Sequence, residues 1–124
     1  MTYTSNPVHR NRTMGKSQWS ITIEDENVCF SRAVANAWLV GQEGWGLHYP
    51  TGRPKYLGVA QDHTTQVFIA KFVGASEVWH GYPADHQQNQ RDIPDEGVLR
   101  KWMDAKFLSP AKVRKVLRGQ PCRL

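Results

Sequence analysis

The stretch Gln66-Val-Phe-Ile-Ala-Lys-Phe-Val73 decides the fold. Successive residues of a strand point to opposite faces. Val67, Ile69 and Lys71 therefore share one face, and Phe68, Ala70 and Phe72 share the other. A strand with one wet face is polar at every second residue. Here both faces are mostly apolar, which predicts a central strand covered on both sides.

Working outward, Lys55-Tyr-Leu-Gly-Val-Ala60 reads as a second strand, joined to the first by the polar turn Gln61–Thr65. Gly74-Ala-Ser76 turns the chain, and Glu77-Val-Trp79 reads as a short further strand. Upstream, Trp19, Ile21 and Ile23 alternate with Ser20 and Thr22, the pattern of a half-buried strand over Gln18–Ile23. Glu24–Asn27 reads as a polar turn, and Val28–Phe30 continues the pairing.

Helix signals are fewer and clearer. Ser31 can cap a helix over Arg32–Val40, with Ala33, Val34, Ala37 and Trp38 on one face and Gly41 as its stop. Gly41–Pro54 holds four glycines and two prolines and reads as a loop. Its Trp45, His48 and Tyr49 form a flexible aromatic surface suited to stacking on a partner. Two helices close the chain. The first begins near Asp92 or Asp95, with Pro94 in its first turn and Val98, Leu99, Trp102 and Met103 as its apolar stripe. The second has Ser109 as cap, Pro110 at the first position and Gly119 beyond the end. Its Val113, Val116 and Leu117 share one side, opposite Lys112, Arg114, Lys115 and Arg118.

Strands followed by a helix pair give an α+β class. The expected architecture is a small antiparallel or mixed sheet of about four strands, one helix after the first strand region, and a C-terminal basic helical hairpin over 92–119. Residues 18–124 form the single domain. Residues 1–17, polar and basic, read as a flexible arm.

With 124 residues, 40% of them hydrophobic, and five tryptophans, the chain can bury a core unaided. No apolar run approaches the roughly 20 residues of a membrane helix. The basic N-terminus lacks the apolar segment of a secretory signal. Both features point to a soluble, cytoplasmic protein. Cys29 and Cys122 form no C-x-x-C and read as free thiols of a reducing compartment.

Charge is the informative asymmetry. Residues 1–94 carry eight basic and eight acidic side chains, so the formal net charge of +5 sits in residues 95–124. Positive charge gathered on one segment draws anionic partners. Arg100, Lys101, Lys112, Arg114, Lys115 and Arg118 are the candidate contacts to nucleic acid or to an acidic protein surface. Base reading usually adds Asn, Gln, Ser or Thr, and the last helix offers only Ser109 and Gln120 at its ends.

The segment Glu77-Val-Trp-His-Gly-Tyr-Pro-Ala-Asp-His86 leads from sheet to helices. Gly81 and Pro83 suit a turn, and Trp79 suits a core anchor. His80, Tyr82, Asp85 and His86 would then stand at the seam between a neutral sheet and a positive helix pair, where a groove would form. Metal-independent RNA cleavage needs a base, an acid and a cation. His80 with His63 or His86, assisted by Lys71 and Tyr82, is the set that could supply them. No H-E-x-x-H frame, nucleophile elbow or phosphate-cradling P-loop occurs, so no metal and no cofactor is expected.

The balance favours a small binding or adaptor protein over an enzyme. The alternatives are a regulator or inhibitor that docks on another protein, of toxin–antitoxin or anti-defence type, and the ribonuclease just described. Oligomeric state and partner identity are open.

Overall fold

The computed structural model describes all 124 residues. Its strands are β1 (Thr2–Tyr3), β2 (Gln18–Trp19), β3 (Leu39–Val40), β4 (Glu43–Leu47), β5 (Gly58–Val59), β6 (Gln66–Val67), β7 (Ile69–Ala75) and β8 (Val78–Ala84). Its helices are α1 (Ile23–Ala35), α2 (Glu96–Asp104) and α3 (Pro110–Leu117). The α+β class stands. The strands form two sheets, of five in the order β1-β8-β7-β4-β3 and of three in the order β2-β5-β6, where about four strands in one sheet were expected.

The deciding stretch spans both sheets. Gln66–Val67 belongs to the smaller sheet and, after Phe68, Ile69 onward belongs to the larger. There β7 is central, antiparallel to β4 on one side and to β8 on the other. Ile69, Ala70, Lys71 and Phe72 are all buried, as two apolar faces require.

One face of the larger sheet is covered by α1. Glu26, Cys29, Phe30 and Ala33 are its buried residues, spaced three and four apart. Phe30 meets the rings of Phe72 and Trp79 at 5.3 and 5.7 Å. Gly46 and Gly81 clear room for this layer: a Cβ on either would come within 3.0 Å of the Phe72 ring. The other face carries Trp45, Lys71 and Tyr82 in one cross-strand row. Residues 85–92 cross over that row, and α2 and α3 follow. Trp102 of α2 is fully buried and packs edge-on to Trp38 at 5.6 Å. Twenty-two buried apolar residues form a single core.

Several elements differ from expectation for identifiable reasons. The first helix starts at Ile23, capped by Thr22, whose side chain accepts from the Asp25 amide. Glu24, Asp25 and Glu26 form its first turn, where the helix dipole favours acids. Ile21 and Ile23 thus mimicked strand alternation across a helix start. The helix ends at Ala35, Ala37 takes a positive φ of 60°, and Leu39–Val40 become β3. The expected loop contains β4, paired with β7 along its whole length. Gly81 and Pro83 lie inside β8, not in a turn. Pro83 tolerates this because β1 pairs only with Val78 and Trp79, leaving β8 a strand partner on one side there. Pro94 precedes the α2 cap, Asp95.

The N-terminal arm is docked. Thr2–Tyr3 pairs in parallel with β8, and Pro7–His9 forms a 3-10 turn. Glu26, fully buried, accepts hydrogen bonds from the Tyr3 hydroxyl, the Ser5 hydroxyl (2.9 Å) and the Arg10 guanidinium (2.8 Å). Burying a carboxylate requires such partners.

Candidate functional site

The seam between β8 and the helix pair is tied from both sides. His86 is buried, and its Nε2 donates to the Gln120 carbonyl at 2.7 Å. A carbonyl only accepts, so Nε2 carries the proton. Asp92 is fully buried. Its Oδ1 accepts from the Tyr82 hydroxyl at 2.7 Å and its Oδ2 from the Asp85 amide at 2.8 Å. Burial holds the pKa of Asp92 above the usual carboxylate range, and burial together with Asp92 pushes the Tyr82 phenol up. These bonds fold residues 85–92 into a compact crossing and aim Gln87, Gln88 and Gln90 outward, all exposed.

Clefts flank this crossing. One of about 360 Å³ is lined by His86, Gln87, Gln88, Gln90 and Arg118 among others. A second, of about 410 Å³, is lined by Gln61, Asp62, Thr65, Asp85, Gln87 and Gln88. A third, of about 770 Å³, runs between Thr64–Gln66, Gln87 and the tail Pro121–Arg123. Gln87 borders all three. They make one continuous surface, with Arg118 at one end and Arg123 at the other, the carboxylates of Asp62 and Asp85 in the middle cleft and Tyr56 and Val59 in the third. The amide side chains that the last helix lacks stand on the linker beside it, in Gln87, Gln88 and Gln90.

The helices carry their charge outward. Arg100, Lys101, Arg114, Lys115 and Arg118 are exposed, and Lys112 is half-buried. The Lys101 ammonium donates to the Ala37 carbonyl at 3.0 Å, closing α2 onto the end of α1. The three ion pairs of the protein are Met1–Glu77, Arg10–Glu26 and Lys71–Glu43; none uses a side chain of the helix pair.

The ribonuclease set is dispersed. His80 is exposed on β8, with Nδ1 bonded to the Thr4 carbonyl at 2.9 Å. His63 sits in the turn after β5 at φ 59°, with Nε2 bonded to the Lys16 carbonyl at 2.8 Å. His63 lines a cleft with Arg12, Gln18, Trp19 and Val59. His86 lines the cleft beside Arg118, and His80 lines neither. The three rings secure three separate segments. Lys71 and Tyr82 do meet, as a cross-strand pair. Lys71 is buried, with its ammonium 2.8 Å from Glu43, 2.8 Å from the Arg91 carbonyl and 4.2 Å above the Trp45 ring. It is committed inside the protein rather than offered to a substrate.

The aromatic trio is not a mobile surface. Trp45 is buried in β4 under Lys71. His48 bridges to Lys55, and burial lowers its pKa. Tyr49 is half-buried, with the Arg32 guanidinium 4.3 Å above its ring and Phe107 4.5 Å away.

Cys29 is buried in α1 and Cys122 lies in the tail near the Lys112 carbonyl; both are free thiols. Burial pushes the Cys29 thiol up to about 12, which makes it inert at neutral pH. No helix is long and apolar enough to cross a membrane. Asp92 carries more of the site, and His9 more of the docked arm through its bond to the Ser17 carbonyl, than their sequence positions suggest. His9 lies in a polar tail and Asp92 in a linker, and neither belongs to a periodic pattern. Comparison with protein-family models, curated proteins and solved structures finds no match to this chain.

Proposed function

We propose that this chain is a small cytoplasmic binding protein that holds a nucleic acid on its C-terminal helix pair and in the adjoining amide-lined cleft. The observation that carries this reading is unpaired charge. Arg100, Arg114, Lys115 and Arg118 are exposed and outside every ion pair. Positive charge not neutralised internally is available to phosphates. The linker amides beside Arg118 add donors and acceptors that suit base edges.

The test is a combined charge reversal, Arg114→Glu, Lys115→Glu and Arg118→Glu. All three side chains are exposed, so the fold should survive. Binding to a labelled oligonucleotide should be abolished. Unchanged binding would refute the reading.

A second reading has its own support. Val40, Glu43, Val73 and His80 form one exposed row across the larger sheet, with Val78 also exposed. An apolar strip with a charged member suits docking on another protein, as a regulator or inhibitor would. Loss of partner capture on Val73→Asp, with oligonucleotide binding intact, would separate this reading from the first.

A further inference from the structure

We infer that the small cleft beside His9 is a binding site for a phosphate group, with Lys16, Asn89 and the His9 ring as its ligands. The inference is independent of the basic helix pair. The cleft, of about 200 Å³, is lined by His9, Lys16, Ser17, Gln61, Tyr82 and Asn89, together with Gly15.

Two of its side chains, Lys16 and Asn89, have donors free for a ligand, and His9 gains a third on protonation. The Lys16 ammonium is in no ion pair. The Asn89 Oδ1 accepts from the Arg91 amide at 3.0 Å, so its NH2 is the end left for a ligand. His9 Nδ1 donates to the Ser17 carbonyl at 2.8 Å, so Nε2, without a partner in the chain, accepts in the neutral ring and donates to an anion once the ring is protonated. No carboxylate lines the cleft. The acids nearby are committed elsewhere, Glu26 to Arg10, Tyr3 and Ser5, and Asp92 to Tyr82 and the Asp85 amide. A phosphate group offers several strong acceptor oxygens to donors converging from different sides.

The walls are fixed before any ligand arrives. The His9 ring stacks on Tyr82 at 5.3 Å. His63 and Gln18 hold the Lys16 carbonyl at 2.8 and 3.2 Å. Two histidines thus pin consecutive carbonyls, Lys16 and Ser17, and set the lysine at the cleft. Such preorganisation lowers the entropic cost of binding.

His9 also makes the site proton-linked. Burial, and then the Lys16 charge, lower its pKa, against a raising effect of Glu26 and of its bond to Ser17. The charged or titratable groups around the ring are Lys16, Glu26 and Tyr82, with Asp92 behind Tyr82. An anion at Nε2 favours the imidazolium, so a bound phosphate dianion raises the His9 pKa.

The test follows the His9 ring resonances by NMR across pH. The probes are inorganic phosphate and a short single-stranded oligonucleotide with or without a terminal phosphate. Inorganic phosphate should raise the His9 pKa, and Lys16→Gln should weaken that effect about tenfold, the worth of one charge-assisted bond. Lys16 is exposed, so this variant keeps the fold. If only the phosphorylated strand acts like phosphate, the ligand is a strand end. If neither strand acts, the ligand is free phosphate. A His9 titration unmoved by phosphate, or unweakened binding in Lys16→Gln, would overturn the inference.

Discussion

His86 Nε2 donates to the Gln120 carbonyl at 2.7 Å, joining the segment just after β8 to the segment that follows the last helix. This bond ties the end of the helix pair to the sheet, beside the Lys101–Ala37 bond and the buried Trp102 of α2. His86→Phe keeps an aromatic ring at this position and removes the donor. The loss of one buried hydrogen bond costs about 1 kcal/mol. Hydrogen exchange should locate the change, with protection falling from Arg118 onward and holding in β7.

Glu26 is fully buried and Arg10 is its charged partner at 2.8 Å. Removing one member of a buried pair leaves an uncompensated charge and costs about 3–5 kcal/mol. Arg10→Ala should lower stability by that amount and free the first ten residues to proteolysis. Digestion at the wild-type rate would show that the arm is held by other means.

The fold was readable where a pattern had a single physical meaning. The two apolar faces within 66–73 correctly marked a covered strand over residues 69–72, although the stretch is not one strand and divides at Phe68 between β6 and β7. The Ser109-Pro110 start and Gly119 stop of α3 are likewise unambiguous, and Gly119 takes a positive φ of 65°. Ambiguous patterns misled. Ile21 and Ile23 alternate like a strand, but Thr22 with Asp25 three residues on is a helix cap, and long-range packing of Cys29 and Phe30 decides for the helix. Glycines 44 and 46 suggested a loop because their role is to admit neighbouring groups, which only tertiary contact reveals. At the site, the seam at Asp85–His86 was legible as a corner between sheet and helices. The burial of Lys71 and the docking of His9 were not, since both depend on residues far away in sequence.

Tyr82 should matter for stability through Asp92. The Tyr82→Phe variant strips one of the two donors from a fully buried carboxyl. A hydrogen bond to a charged group is worth about 1.5–3 kcal/mol, so urea unfolding should register a loss of that size. An unchanged midpoint would mean that Asp92 is satisfied without it.

Acid should destabilise the protein through His9 and His48. Burial lowers both pKa values below the ordinary 6.5. The unfolded chain then binds more protons than the folded one as pH drops through that value. Stability is therefore full above 6.5 and is lost as pH falls through the lower folded values. His9→Phe should flatten part of this slope in chemical denaturation. A slope as steep as that of the wild type would remove His9 from the account.

The most direct measurement is oligonucleotide affinity by fluorescence anisotropy across a range of salt concentrations. The proposed interface predicts that log affinity falls linearly with log salt. Each neutralising change, Arg114→Gln, Lys115→Gln or Arg118→Gln, should reduce the slope by roughly 0.7–0.9. No binding at roughly 50 mM salt, where phosphate contacts are strong, or an affinity indifferent to salt, would contradict the account.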